Sequence, residues 1–135
     1  MIDLPPQLYR LPRIGSEGEG HITVATIRGA IPFVPERVFW VTGTPPTQQR
    51  GGHAHRTTCQ VLVAVAGRVD VHTELRNGVK KDLVLDDPGT ALFLPAMCWR
   101  TLRFSPGAVL LVMASTPFDH TDYIRDIEQF RALGR

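Results

Sequence analysis

Arg50-Gly51-Gly52-His53-Ala54-His55-Arg56-Thr57-Thr58-Cys59-Gln60 sets two histidines one residue apart and runs into Val61-Leu62-Val63-Ala64-Val65-Ala66-Gly67, the most regular strand pattern of the chain. Successive side chains of a strand leave opposite faces. A strand that includes both histidines therefore puts His53 and His55 on one face, roughly 6–7 Å apart, with Arg56 turned away. Two imidazoles on one face make a site geometry. A His-x-His tripeptide alone fits equally well a polar sheet edge or a pair of surface histidines, so its surroundings decide. The run after it is uniformly apolar, as expected of a strand buried on both faces.

Working outward, Arg37-Val38-Phe39-Trp40-Val41 and Ile22-Thr23-Val24-Ala25-Thr26-Ile27 are β-rich and read as strands on either side of Pro32 and Pro35. Residues 1–20 contain Pro5, Pro6, Pro12 and the turn cluster Gly15-Ser16-Glu17-Gly18-Glu19-Gly20, which exclude a helix and predict an extended N-terminal arm. Downstream, Val69, Val71 and Thr73 alternate with Arg68, Asp70 and His72, a strand with one wet face, and Asn77-Gly78 marks a tight hairpin into Leu83-Val84-Leu85. Asp86-Asp87-Pro88-Gly89 turns the chain into Ala91-Leu92-Phe93-Leu94, and Ser105-Pro106-Gly107 precedes the apolar strand Ala108 to Ala114. Turns roughly every ten to fifteen residues are the rhythm of an antiparallel barrel or sandwich. After Pro117 the period changes. Tyr123, Ile124, Ile127, Phe130 and Leu133 recur at three- and four-residue intervals, which predicts one short C-terminal helix within residues 119–135, capped by Asp119 or Thr121 and held by packing.

The length of 135 residues with 43% hydrophobic content fits a single all-β domain over residues 1–135. A formal charge of +2 arises from 15 basic and 13 acidic residues spread along the chain, so neither a nucleic-acid footprint nor a membrane-seeking patch is expected. Ala108 to Ala114, the longest apolar run, is too short to span a bilayer. Cys59 and Cys98, in a chain whose first fifteen residues hold no apolar leader, are expected to be reduced thiols of a soluble cytoplasmic protein.

Gly52-His53-Ala54-His55, then Gln60, then Gly67 resembles the first cupin motif, and Gly89, Pro95 and Trp99-Arg100 resemble the second. That resemblance implies a double-stranded β-helix, a small jelly-roll barrel with a ligand in its mouth. Metal-binding cupins add a glutamate and a second-motif histidine to the two histidines; here those places hold Gln60 and Arg100. An amide is a poor ligand for a transition metal and a guanidinium cannot become one, so no metal and no other cofactor is expected.

A narrower likeness runs along nearly the whole chain. Pro35-x-Arg37-Val38-Phe39-Trp40-Val41, Arg50 to Arg56, Pro95-Ala96-Met97-x-Trp99, Phe104-Ser105-Pro106-x-Ala108 to Ser115, and Asp119-x-x-Asp122-Tyr123-Ile124-Arg125-Asp126 are similar, in order, to the metal-independent sugar 3,4-ketoisomerases (WxcM-like). The resemblance implies an isomerase that moves the ketone of a dTDP-4-keto-6-deoxy-hexose from C4 to C3, supplying aminotransferases that build amino sugars for surface polysaccharides. It also implies a homodimer with exchanged N-terminal strands. The chemistry needs proton carriers at adjacent carbons and no redox cofactor, and histidine has the side chain whose ordinary pKa lies near neutrality. By resemblance His53 and His55 are the acid/base pair, and Arg37 and Arg50 the diphosphate contacts. Arg100 would supply positive charge to an enediolate, Gln60 would orient a histidine or the substrate, and Trp99, or Trp40, would stack on sugar or thymine.

The N-terminal region departs from the family pattern, with Glu19-Gly20 where an Arg-Gly is usual and Thr26 where a glutamate is usual; Phe118 replaces a tyrosine. With Arg100, these departures open a second reading, a nucleotide-sugar- or sugar-binding cupin without catalysis; a metal-dependent cupin enzyme is a third, ranked below it. His21, His72 and His120 match no part of the site and read as surface residues.

Overall fold

The computed structural model describes residues 2–134; Met1 and Arg135, the outer ends of the expected arm and helix, lie outside them. Twelve strands form: β1 (Gln7–Arg10), β2 (Arg13–Ser16), β3 (Gly20–Thr23), β4 (Arg37–Val41), β5 (Arg50–His55), β6 (Gln60–Ala66), β7 (Val69–Leu75), β8 (Lys80–Leu85), β9 (Thr90–Leu94), β10 (Cys98–Phe104), β11 (Val109–Ala114) and β12 (Tyr123–Ile124). A 3₁₀ turn at His120–Asp122 precedes β12, and the one α-helix among the described residues, α1, covers Ile127–Ala132. Antiparallel pairing builds one sheet in the order β1-β9-β6-β11-β4 and a second in the order β12-β5-β10-β7-β8; β2 and β3 pair only with each other. The two five-stranded sheets face each other across one core, antiparallel as the turn rhythm predicted and an all-β jelly roll as the cupin resemblance implied.

Period-two alternation fills that core. On β6, Leu62 and Ala64 point between the sheets with Val69, Val71, Leu102, Phe104 and Leu110. Val61 and Val63 point outward into a second cluster with Leu11, Ile31, Phe93 and Met113, which the N-terminal arm covers. That covering makes β6 double-sided as far as Ala64; Val65 beyond it is exposed. Asn77-Gly78 makes the expected hairpin: Gly78 takes φ +86, Asn77 Oδ1 accepts from the Val79 amide at 3.1 Å, and Glu74 falls opposite Lys80. Cys59 and Cys98 are both buried free thiols. Among the described residues no helix is long and apolar enough to cross a membrane.

Four local expectations change. The His-x-His stretch and the apolar run after it are two strands in opposite sheets, with Arg56 to Cys59 crossing between them. The strand at Ile22 stops at Thr23, because the Thr26 carbonyl accepts from the amides of Gly29 and Ile31 in a turn. The first part of the arm is embedded in its own chain, β1 pairing with β9 and Leu11 buried, while β2 lies outside both five-stranded sheets. Finally, α1 begins only at Ile127, where the Asp126 side chain caps the Glu128 amide at 2.9 Å; Asp119 instead caps the 3₁₀ turn. Tyr123 and Ile124 pair with His55 and Ala54 as strand, since the edge of β5 offers backbone partners that a longer helix would leave unmet. A half-buried ion pair docks α1: Arg131 Nε and Nη2 donate to Glu74 Oε2 and Oε1 at 2.7 and 3.0 Å.

Candidate active site

Two glycines open β5. Gly51 and Gly52 both take positive φ, +79 and +71, and a Cβ on Gly51 would stand 2.8 Å from the Arg100 carbonyl oxygen. Gly51 lets β5 press on β10 where the register shifts between Arg100 and Thr101, which brings His53 opposite Arg100. Alternation then does the sorting. His53 and His55 face the barrel interior, while Ala54 faces out into a cluster with Trp99, Ile124 and Phe130. On β10, Arg100 and Leu102 face in and Trp99 faces out.

The imidazoles meet edge to face with ring centroids 4.9 Å apart, and the Tyr123 ring lies 4.9 Å from His53 and 4.5 Å from His55. Behind Tyr123, the Arg125 guanidinium stands over its ring at 4.4 Å. These groups, with Arg50, Gln60 and Arg100, line a cavity of about 280 Å³ at one end of the barrel, its other wall formed by apolar side chains including Phe39, Val41 and Leu110.

Electrostatics in the cavity are dominated by Arg100, which is 2% exposed. Its Nη1 donates to Gln60 Oε1 at 2.6 Å and its Nε to the Cys98 carbonyl at 3.0 Å, while the buried Nη2 has no partner. Among the described residues no carboxylate touches it. Burial pushes its pKa down, but a guanidinium starts so high that it stays charged. Burial, then Arg100, then the neighbouring imidazole hold His53 down to about 3. Burial and Arg100 hold His55 to about 4 against the pull of Asp122. Both rings are therefore neutral at pH 7, well below the near-neutral value expected from the residue type.

Asp122 stands behind His55. Its Oδ2 lies 2.9 Å from His55 Nδ1 and accepts from Thr58 Oγ1; its Oδ1 accepts from the Thr57 amide at 2.7 Å and from Thr57 Oγ1 at 2.8 Å. Burial works to raise this carboxyl, but the donors from Thr58, Thr57 and His55 outweigh it and bring it down to about 2. His55 Nε2, on the far side of the ring, is buried without a partner.

Of the residues expected from sequence, His53, His55, Arg50, Gln60 and Arg100 come together at the cavity. Arg37 stands outside its lining, its guanidinium 5.6 Å from the Phe39 ring and 5.7 Å from that of Phe118, although its charge reaches His55. Trp99 is a correction. It is 6% exposed and packs 5.9 Å from the Phe130 ring, because its strand neighbour Arg100 takes the inward position. Trp40 points to solvent and is 66% exposed. Glu19 in the β2–β3 turn and Thr26 in the turn after β3 lie outside the cavity of their own chain.

Sequence reasoning gave no role to Asp122, Tyr123 or Arg125, since helical spacing absorbed their segment. The signal that finds them is again period two: Tyr123 and Arg125 reach the cavity while Ile124 between them is buried with Trp99. The donor set does not fit the metal of the wider cupin pattern. Arg100 brings a fixed cation beside the histidines, Gln60 Oε1 is engaged by it, and among the described residues no three His, Cys, Asp or Glu side chains are grouped to hold an ion.

The model of the WxcM-like, C-terminal (FdtA) family matches residues 5–135. A TDP-4-oxo-6-deoxy-alpha-D-glucose-3,4-oxoisomerase of Aneurinibacillus thermoaerophilus is 35% identical over 102 residues, which is 75% of this chain and 73% of that one. The sugar 3,4-ketoisomerase QdtA of Thermoanaerobacterium thermosaccharolyticum, solved in complex with TDP, superposes with a TM-score of 0.89 at 30% identity, covering 98% of this chain and 96% of that one. The TDP-quinovose 3,4-ketoisomerase WlaRB of Campylobacter jejuni superposes with a TM-score of 0.88 at 29% identity, covering 94% and 97%. With a family model spanning all but the first four residues, and the expected His-x-His, Gln60 and Arg100 gathered in one cavity, the chain belongs to the WxcM-like FdtA family.

Proposed function

We propose that this chain is a TDP-sugar 3,4-ketoisomerase that converts a TDP-4-keto-6-deoxy-hexose to its 3-keto isomer. One observation carries the reading: two neutral imidazoles, 4.9 Å apart, share a cavity with a buried guanidinium that keeps a free donor. A base removes the C3 proton, the electron pair moves toward the C4 carbonyl, and an enediolate forms. Return of a proton to C4, with the C3 hydroxyl proton passing to the C4 oxygen, completes the isomer without net oxidation. His53 and His55 carry the protons, and Arg100 Nη2 donates to the oxygen on which charge develops. Gln60 holds Arg100 in place rather than touching a histidine.

A volume of about 280 Å³ is at the small end of ligand pockets, which run from roughly 300 to 1,000 Å³. It suits the sugar ring, with the nucleotide lying along the rim where Arg50 and Arg125 meet the diphosphate and Arg37 stands nearby. The carrier is dTDP, TDP being the nucleotide named for the relatives, and the chain acts as one cupin domain in the cytoplasm.

It works as a homodimer with exchanged N-terminal strands. The β2–β3 hairpin pairs with no other strand and leaves Ile14 and Ile22 63% and 65% exposed, while β4 is an open edge carrying exposed Val38 and Trp40. Laying hairpins across to a second copy buries these apolar groups and covers an edge.

Proton NMR of TDP-4-keto-6-deoxyglucose in D2O tests the reaction. Deuterium entering at C3 or C4 with a new 3-keto signal, lost in His53→Asn and His55→Asn, is the expected result. TDP binding with no exchange above a protein-free control overturns it in favour of a binding module.

A further inference from the structure

We propose that Asp122 is a positioning residue for His55: its carboxylate locks the imidazole proton on Nδ1 and holds Nε2 toward the cavity as a proton acceptor. The proposal rests on the isomerase reading above for its catalytic meaning, and on geometry alone for the tautomer. An ionised carboxylate can only accept hydrogen bonds. Asp122 already accepts from the Thr57 amide and from both the Thr57 and Thr58 hydroxyls, so the 2.9 Å contact with His55 Nδ1 requires the proton to sit on that nitrogen. The lone pair is then on Nε2, which is buried and unpartnered. The lock is rigid. The Arg56 amide donates to the Asp122 carbonyl at 2.7 Å, so backbone and side chain of Asp122 both tie down the loop between β5 and β6.

This arrangement gives His55 a definite order of events. It enters turnover neutral, takes a proton on Nε2 and later gives the same proton back, so no proton is gained or lost over the cycle. The imidazolium formed between those events stands near Arg100, which disfavours it, and against Asp122, which favours it through the Nδ1–H bond. Among the described residues His53 has no such carboxylate at hydrogen-bond distance.

The tautomer is read first, in resting protein, by long-range ¹H–¹⁵N NMR of labelled histidine. His55 is expected as the Nδ1–H form, and an Nε2–H form in the parent protein overturns the proposal whether or not the chain turns over the sugar. Asp122→Asn keeps the shape but turns its amide NH₂ toward Nδ1. It should flip the ring to Nε2–H and lower kcat by roughly 10²–10⁴-fold with KM for the TDP-sugar within about threefold. Thr58→Val removes one hydroxyl from Asp122 without reversing the donor at Nδ1, so the tautomer stays and kcat falls less than tenfold. A flipped ring with kcat intact, or a loss in Thr58→Val as large as in Asp122→Asn, reduces Asp122 to a structural anchor. Failure of the parent enzyme to isomerise the sugar overturns the reaction assigned here while leaving the tautomer to judge Asp122.

Discussion

Neighbouring strands of one sheet bury two charges in opposite ways. Glu74, at the end of β7, is 3% exposed and fully compensated: Arg131 grips both its oxygens, Lys80 stands 3.8 Å away, and the Arg131 hydrogen bonds pull its pKa down. Arg100, on β10, is equally buried yet has only neutral acceptors and an idle Nη2. A charge closed by its counter-charge fastens one element to another; a charge left open in a cavity is held for something that arrives from outside. Glu74 secures α1, and in the proposed reaction Arg100 awaits an anionic transition state.

The sharpest way to break this contrast is Arg100→Met. Loss of the donor at the developing oxyanion should lower kcat by about 10²–10³-fold, whereas removing an uncompensated buried charge should leave unfolding free energy within about 1 kcal/mol of the parent, or above it. The same change acts on pH. In the proposed mechanism neutral rings are the active form, so kcat/KM of the parent should hold down the acid side until protonation near about 4 for His55 and about 3 for His53. Arg100 is the second cause of both depressions, so in Arg100→Met that limb moves to higher pH. Stability follows the same groups. The unfolded rings bind protons near the ordinary 6.5 and the folded ones only near 3 and 4, so unfolding takes up protons in between and stability falls as pH drops through that window. An unmoved acid limb with a large loss of stability would make Arg100 a structural charge like Glu74.

Gln60→Glu sharpens the contrast by turning one case into the other. A carboxylate at the 2.6 Å contact would close Arg100 as Arg131 closes Glu74. Steady-state assay should give a roughly tenfold lower kcat, because the guanidinium meets the oxyanion already neutralised, and calorimetry should show no loss of stability. The smallest effect belongs to Glu74→Gln. Its partner Arg131 is 39% exposed and keeps water, so the loss in urea denaturation should be only about 1–2 kcal/mol, with kcat within twofold and the acid limb unmoved.

What could be read from sequence divides along similar lines. Alternation over a single strand was legible and set His53 and His55 together, and the Asn77-Gly78 turn signal marked a hairpin that the structure keeps. Motif order supplied Gln60 and Arg100. Trp99 was misplaced because the choice of which side of β10 faces in depends on Leu102 and Phe104 joining the core, and short apolar and aromatic residues on both faces hid it. The segment from Tyr123 to Leu133 satisfied helical spacing, yet its first residues pair with β5, a tertiary demand that local periodicity does not record. Asp122 finds His55 across 67 residues of chain, and no spacing rule reaches that far.

The pairing of β1 with β9 has a consequence for how the molecule is made. Leu8 lies opposite Leu92, so β1 emerges from the ribosome about 84 residues before its partner strand. At synthesis rates of 5–20 residues per second that is a wait of roughly 4 to 17 s with an unpaired edge. Until the arm closes, β9 is the rim of its sheet and the outer side of β6, with Val61 and Val63, is bare. The strand translated early is thus the one that seals the sheet late, and during that interval the β9 edge of another nascent chain offers it the same register.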